Sequence, residues 1–119
     1  MTQEDKKLLL KDLSARLPYG VKIELAWWDM GEWIGIDTTL EPECIDELLN
    51  DEDGDIEIQP YLFPLSSMTE EQQMDLTKFV ANGIQGKNIL YDWYNKNHFD
   101  YRGLIPMGLA IDATGLNIY

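Results

Sequence analysis

The sequence predicts an α+β fold in a single domain, residues 1–119, with a small antiparallel sheet of about three strands. Three observations predict it: leucines at helical spacing near the N-terminus, two segments of alternating apolar and polar residues, and a capping-box motif in the C-terminal half. A chain of 119 residues, 45% of them hydrophobic, is long enough to bury one core. We expect an N-terminal helix and two helices in the C-terminal half to pack on the sheet.

The first helix is predicted from Thr2 to Leu17. Thr2 is a favourable N-cap residue, and Glu4 and Asp5 suit the positive end of the helix dipole. Pro18 disfavours helical geometry at the residue before it and ends the element. The expected buried stripe consists of Leu9, Leu10, Leu13 and Leu17.

A β-hairpin is predicted next, from strands at residues 21–28 and 32–37. The intervening loop contains Gly31, which we expect to adopt a positive φ. Strict alternation places Trp27 and Trp28 on opposite faces of the sheet, so both cannot enter one core.

One tryptophan should therefore lie on the second face of the sheet. We expect Trp28 to lie there beside Trp33 across the hairpin. The alternative is that the tail, Ile105 to Ile118, covers this side chain.

A short helix from Pro42 to Leu49 and a third strand from Asp55 to Tyr61, ended by Pro60 or Pro64, follow the hairpin. Further along, a helix begins after the capping residue Thr69 and should end at the glycines 83 and 86, with an apolar face of Leu76, Phe79, Val80 and Ile84.

The last predicted helix runs from a cap at Asn88 to Asn97, and the tail is irregular with a single short helical turn. The side chains that should form most of the core are Leu9, Leu13, Val21, Ile23, Leu25, Ile34, Ile36, Phe79, Val80 and Trp93.

The distribution of charge is the least ordinary feature of the sequence. The net charge is −13, and the 55 residues between Lys22 and Lys78 contain no Lys or Arg but 16 of the 22 acidic residues. The other 64 residues carry all nine bases and six acids. One side of the folded molecule should therefore have a strongly negative potential.

Composition excludes several classes of protein. Clustered basic residues for phosphate contacts are missing, which argues against direct nucleic-acid binding. No apolar run approaches the length of a membrane span, and the N-terminal segment lacks the apolar core of a signal peptide. A single cysteine fits a reducing compartment, so we expect a cytoplasmic protein.

The residues do not predict a metal or cofactor site. If Gly54 is aligned with the sixth position of a calcium loop, Leu49 and Pro60 occupy the first and twelfth positions, where carboxylates are required. Cys44 and His98 form no zinc-binding spacing. They could still meet as a nucleophile and base, although neighbouring acids would raise the pKa of the thiol. We expect His98 instead to end a helix as a partly protonated imidazole.

Three segments resemble a group of small acidic proteins from gut Bacteroides and from their phages and other mobile elements. They are residues 17–21, 58–69 and 92–105. The resemblance implies a cytosolic bacterial or phage protein and no particular activity. The group usually carries basic residues where Gln59 and Phe63 stand here.

The leading functional hypothesis is a non-enzymatic binding protein that uses its acidic face to bind a basic protein. In a narrower form, that face mimics nucleic acid and inhibits a basic host protein. The alternatives are a small structural or assembly protein of a mobile element and an enzyme that uses paired carboxylates. The residues predicted to form the binding face are Asp51, Glu52, Asp53, Asp55, Glu57 and, as apolar anchor, Trp28.

Overall fold

The computed structural model describes residues 1–82 and 87–119, which form four α-helices and five β-strands. In chain order these are α1 (Gln3–Arg16), β1 (Lys22–Asp29), β2 (Glu32–Thr39), α2 (Pro42–Asn50), β3 (Ile56–Pro64), α3 (Glu70–Asn82), α4 (Lys87–Lys96), β4 (Phe99–Asp100) and β5 (Ile111–Asp112). The predicted α+β class is confirmed. The residues Gly83, Ile84 and Gly86 lie outside the described residues, as does the side chain of the predicted cap Asn88.

Helices α1 and α3 begin where their capping residues predict, whereas α4 begins at Lys87, one residue before the predicted cap Asn88. Thr2 and Asp5 form a reciprocal capping box at the start of α1, with the Thr2 hydroxyl accepting from the Asp5 amide at 3.0 Å. Thr69 and Gln72 exchange equivalent bonds before α3. None of the helices in residues 1–82 and 87–119 has the length and apolar composition that a membrane crossing requires.

The sheet is mixed and five-stranded, so the prediction of about three antiparallel strands understates it. The strand order is β2-β1-β3-β4, and β5 also pairs with β3. Both β1 pairings are antiparallel, whereas β4 and β5 run parallel to β3. The two added strands have two residues each, which is too short for alternation to reveal them in the sequence.

Strand β3 continues through Pro60 and ends at Pro64, the second of the two prolines predicted as its end. The amide of Trp28 donates to the carbonyl of Asp55 at 2.8 Å, which fixes the alternation of hydrogen bonds between β1 and β3. In that register Pro60 stands opposite Ile23 with its nitrogen pointing away from β1. The proline therefore removes no hydrogen bond from the β1–β3 ladder.

The core lies between one face of the sheet and the helices. Of the predicted core residues, Leu9, Leu13, Val21, Ile23 and Trp93 are buried, and Leu25 and Ile34 are half-buried. The predicted burial of Ile36, Phe79 and Val80 is wrong, since these side chains are 47%, 39% and 49% exposed. Ile36 lies on an edge strand, where no further strand among the described residues packs beside it. Helix α3 packs mainly against α4, so part of its apolar face stays exposed.

A buried ion cluster joins α1 to the C-terminal segment. The Asp12 carboxylate accepts from Arg16 Nε at 2.8 Å and from Arg102 Nε at 3.1 Å, and Asp12 and Arg16 are fully buried. Arg16 also donates to the Phe99 carbonyl at 2.7 Å, and both guanidinium groups lie over the Tyr101 ring. This pairing compensates charges that would otherwise be costly to bury.

Candidate binding face on the sheet

The β1–β2 hairpin turn fixes which side chains share a face. Met30 and Gly31 both have positive φ, 49° and 87°, as a two-residue type I′ turn requires. Asp29 therefore stands opposite Glu32, and every earlier residue of β1 has a defined partner on β2. A shift by one residue would move each of these side chains to the other face.

This register and the β1–β3 pairing bring the acidic and aromatic side chains together on the face opposite the core. We call it the acidic sheet face; it comprises Glu24, Ala26, Trp28, Trp33, Gly35, Asp37 and Glu57. Ala26 is paired with both Gly35 and Glu57, so small residues form a shallow floor between the carboxylates. The exposed carboxylates of Asp37 and Glu57 and the half-buried carboxylate of Glu24 thus surround a depression on this face of the sheet.

The two tryptophans of the face form an edge-to-face pair. Trp28 and Trp33 are directly opposite each other, with ring centroids 5.7 Å apart and ring planes at 70°. The expected pairing across the hairpin is confirmed. Each side chain remains 47% exposed, and the tail that we considered as a cover, Ile105 to Ile118, instead contributes Leu109 and Ala110 to the core.

Hydrogen bonds at the other end of the face support a negative potential. The Tyr61 hydroxyl donates to Asp37 Oδ1 at 2.6 Å. This bond, burial and the charges of Asp37 and Glu24 raise the pKa of Tyr61 to about 12. Lys22 Nζ donates to the Thr39 hydroxyl at 2.7 Å and lies at the end of β1, away from the tryptophans.

The predicted binding residues of the loop before β3 divide into two groups. The Asp51 carboxylate accepts from the amides of Asp55 and Ile56, each at 3.2 Å, so it holds the loop in shape. Glu52 and Asp53 are exposed on that loop. Asp55 is exposed beside Trp28, and Glu57 follows it on the same face, as the alternation predicted.

Sequence reasoning missed Glu24, Asp37 and the small floor residues. The register of the hairpin contained part of that signal, because a two-residue loop after Asp29 places Glu24 opposite Asp37. The pairing of β1 with β3 had no local signal, and it is this pairing that adds Glu57 to the group.

The other candidate residues are used differently. Burial and the nearby Arg16 charge lower the pKa of His98 to about 4, so the expected partly protonated imidazole is wrong at neutral pH. His98 stacks on Tyr119 with centroids 3.8 Å apart. Cys44 packs beside the core, and among the described residues no hydrogen bond joins it to His98.

Among residues 1–82 and 87–119, no group of three His, Cys, Asp or Glu side chains is placed to hold a metal ion. Comparison of the chain with protein-family models, curated proteins and solved structures found no match. The acidic sheet face offers carboxylate acceptors and aromatic surface without an enclosing cavity. This chemistry suits recognition of a cationic surface.

Proposed function

We propose that the protein is a binding protein whose acidic sheet face docks a basic surface of a partner protein. The observation that carries the proposal is the placement of Glu24, Asp37 and Glu57 around the Ala26–Gly35 floor, next to an exposed tryptophan pair. The carboxylates supply charge attraction, and Trp28 supplies an apolar anchor of the kind that dominates many interfaces.

Charge complementarity favours a basic partner over other occupants. The sequence from residue 23 to residue 77 contains no Lys or Arg, and it includes β2, α2 and β3 entirely. The carboxylates of the face therefore lack basic side chains from those elements to neutralise them. Lys or Arg side chains from a partner would form the missing pairs, and their cationic groups also pack well on indole rings.

The proposal is tested with matched charge reversals. Glu24→Lys with Glu57→Lys inverts two charges on the acidic sheet face, whereas Asp46→Lys with Glu47→Lys makes the same net change at exposed positions of α2. Both variants and the wild type are immobilised and exposed to a bacterial lysate over a series of salt concentrations. We expect one basic protein to be retained by the wild type and the α2 variant and lost by the face variant.

A third variant tests the aromatic anchor. Trp28→Ala should weaken binding of the captured protein by at least about tenfold while the domain stays folded, because the indole is half-exposed. Equal retention by the two charge variants, or loss from both at the same salt concentration, would contradict docking through this face.

The narrower hypothesis of nucleic-acid mimicry adds one requirement to the same proposal. The captured protein must use the same basic surface to bind nucleic acid, because DNA presents closely spaced negative charge. Duplex DNA should then compete with the immobilised protein for it. A partner that is not displaced by DNA supports docking without mimicry. A partner encoded beside this protein that builds a defined assembly with it would support the alternative structural role.

A further inference from the structure

Strand β2 is an edge of the sheet and carries unused backbone hydrogen-bonding groups. Among the described strands it pairs with β1 alone. It is eight residues long, Glu32 to Thr39, and contains neither the proline nor the lysine that commonly protects an edge strand.

Two hydrogen bonds fix which backbone groups of β2 point outward. Leu40 N donates to the Val21 carbonyl at 2.9 Å, which continues the β1–β2 ladder beyond its last pair. Trp28 N donates to Asp55 on the opposite side of β1, so Trp28 makes no ladder bond to Trp33. By alternation, even-numbered residues of β2 bond to β1, and the amides of Trp33, Gly35 and Asp37 point away from the sheet.

We propose that this free edge of β2 receives an extended, basic segment of the partner protein as an additional β-strand. The inference rests on the proposed function and specifies how the partner engages the acidic sheet face. Strand addition uses backbone hydrogen bonds for affinity and alternating side chains for specificity.

The two faces of β2 specify the sequence pattern of the added strand. Opposite Trp33, Gly35 and Asp37 its side chains would lie over the acidic sheet face. Strands are about 4.8 Å apart, so a Lys or Arg passing over Gly35 extends toward Glu24 on β1. On the other face, the exposed Ile36 between half-buried neighbours favours an apolar residue. Basic and apolar residues should therefore alternate.

Charge decides against a second copy as the occupant. A copy of this chain would bring another −13 net charge to the interface, and its own β2 carries Glu32 and Asp37. Like charges on adjacent strands destabilise pairing.

The first experiment uses a synthetic peptide as the probe. It is eight residues long to match β2 and alternates Lys and Val, and a Glu-Val peptide serves as the charge control. Amide hydrogen exchange of the protein is followed by NMR. With the Lys-Val peptide, the amides of Trp33, Gly35 and Asp37 should exchange at least about tenfold more slowly, whereas those of Ile34 and Ile36 are already bonded to β1.

The second experiment removes one outward donor. In Gly35→Pro the ring takes the place of an amide hydrogen that bonds to nothing in the β1–β2 ladder. A Cβ at this position meets its nearest neighbour, Ala26 Cβ, at 3.8 Å, an ordinary contact. Gly35→Ala makes the same contact and keeps the donor, so it serves as the matched comparison for the change in the floor of the face. We expect Gly35→Pro to weaken peptide binding by at least about tenfold more than Gly35→Ala does.

A modified peptide makes the test independent of the folding of Gly35→Pro. N-methylation of all its backbone amides retains every side chain and charge of the Lys-Val peptide and removes the donors from both of its edges. The methylated peptide should bind at least about tenfold more weakly than the parent, whichever direction the added strand runs. Equal binding of the methylated form and the parent would overturn strand addition.

The outcomes separate this inference from the proposed function. Suppose that the peptide binds the wild type without protecting the β2 amides and that the Glu24→Lys, Glu57→Lys variant loses this binding. This result would overturn strand addition and leave docking on the face intact. Equal protection by the Glu-Val peptide would overturn the basic occupant. A dimer in sedimentation at about 0.5 M salt, with the same amides protected, would assign the edge to a second copy instead.

Discussion

Charged and aromatic side chains are used in opposite ways at the acidic sheet face and around Asp12. On the sheet, the half-buried Glu24 and the exposed Glu57 share a face with a half-exposed tryptophan pair. Around Asp12, one buried carboxylate pairs with two guanidinium groups, and both guanidinium groups lie over a tyrosine ring. Charge in this protein is therefore paired and buried at one end and faces solvent at the other.

The largest effect is expected from a variant that breaks the buried ion cluster around Asp12. Asp12→Ala should lower the free energy of unfolding by about 3–5 kcal/mol, because it leaves the fully buried Arg16 without its counter-ion. Chemical denaturation measures the change. Glu24→Gln on the sheet should change it by less than about 0.5 kcal/mol. Similar losses for the two variants would contradict the contrast between the regions.

A second pair of variants compares a buried helix face with an exposed one. Leu13→Ala in α1 should cost about 2–4 kcal/mol, since the side chain is completely buried. Val80→Ala in α3 removes a side chain that is 49% exposed, so it should cost less than about 1 kcal/mol. Unfolding monitored by circular dichroism distinguishes them, and a large loss from Val80→Ala would show that α3 is covered in solution.

Acid should lower the free energy of unfolding through protonation of His98. Its pKa is about 4 in the fold and 6.5 in the unfolded chain, so the unfolded state takes up the proton first. The stabilisation is complete above about pH 6.5 and is lost as the pH falls toward 4. We expect a loss of about 1–2 kcal/mol, since the ring is only partly buried.

The variant His98→Asn provides the control for this pH dependence. Asparagine tolerates the positive φ of 64° at this position and does not titrate. Its stability should be nearly flat between pH 6.5 and 5, above the range in which most carboxylates titrate. A slope as steep as that of the wild type would assign the effect to another group.

The smallest expected effect is a change in melting temperature with salt, through screening of the carboxylates on the sheet. Raising sodium chloride from low concentration to about 0.5 M shortens the screening length and relieves repulsion among the carboxylates, so the melting temperature should rise. Glu24→Gln with Glu57→Gln should reduce that gain while leaving the enclosed cluster unchanged. A melting temperature that falls with salt would contradict an accumulation of like charge on one face.

Local patterns predicted the helices, the hairpin and the facing of Trp28 correctly because each depends on neighbours in sequence. The capping box at Thr2 and the loop at Gly31 are complete within a few residues. Burial of Ile36 and Phe79 was predicted wrongly from the same kind of pattern. Periodicity identifies an apolar face but does not supply the element that covers it.

The sequence alone determined the α+β class, the presence of the hairpin and the concentration of negative charge between Lys22 and Lys78. The register of the hairpin came from the structure, because Asp29 belongs to β1 and pairs with Glu32 instead of lying in the predicted loop, residues 29–31. Only the tertiary structure decided that β3 lies beside β1, which joins Glu57 to Glu24, and that β2 remains an edge. It also decided that Tyr119 Oη bridges Lys22 N and the Tyr61 carbonyl, where the two strands separate. Strand order and such contacts between distant residues depend on which elements of the whole chain pack together best. The periodicity of a short segment contains no information about that.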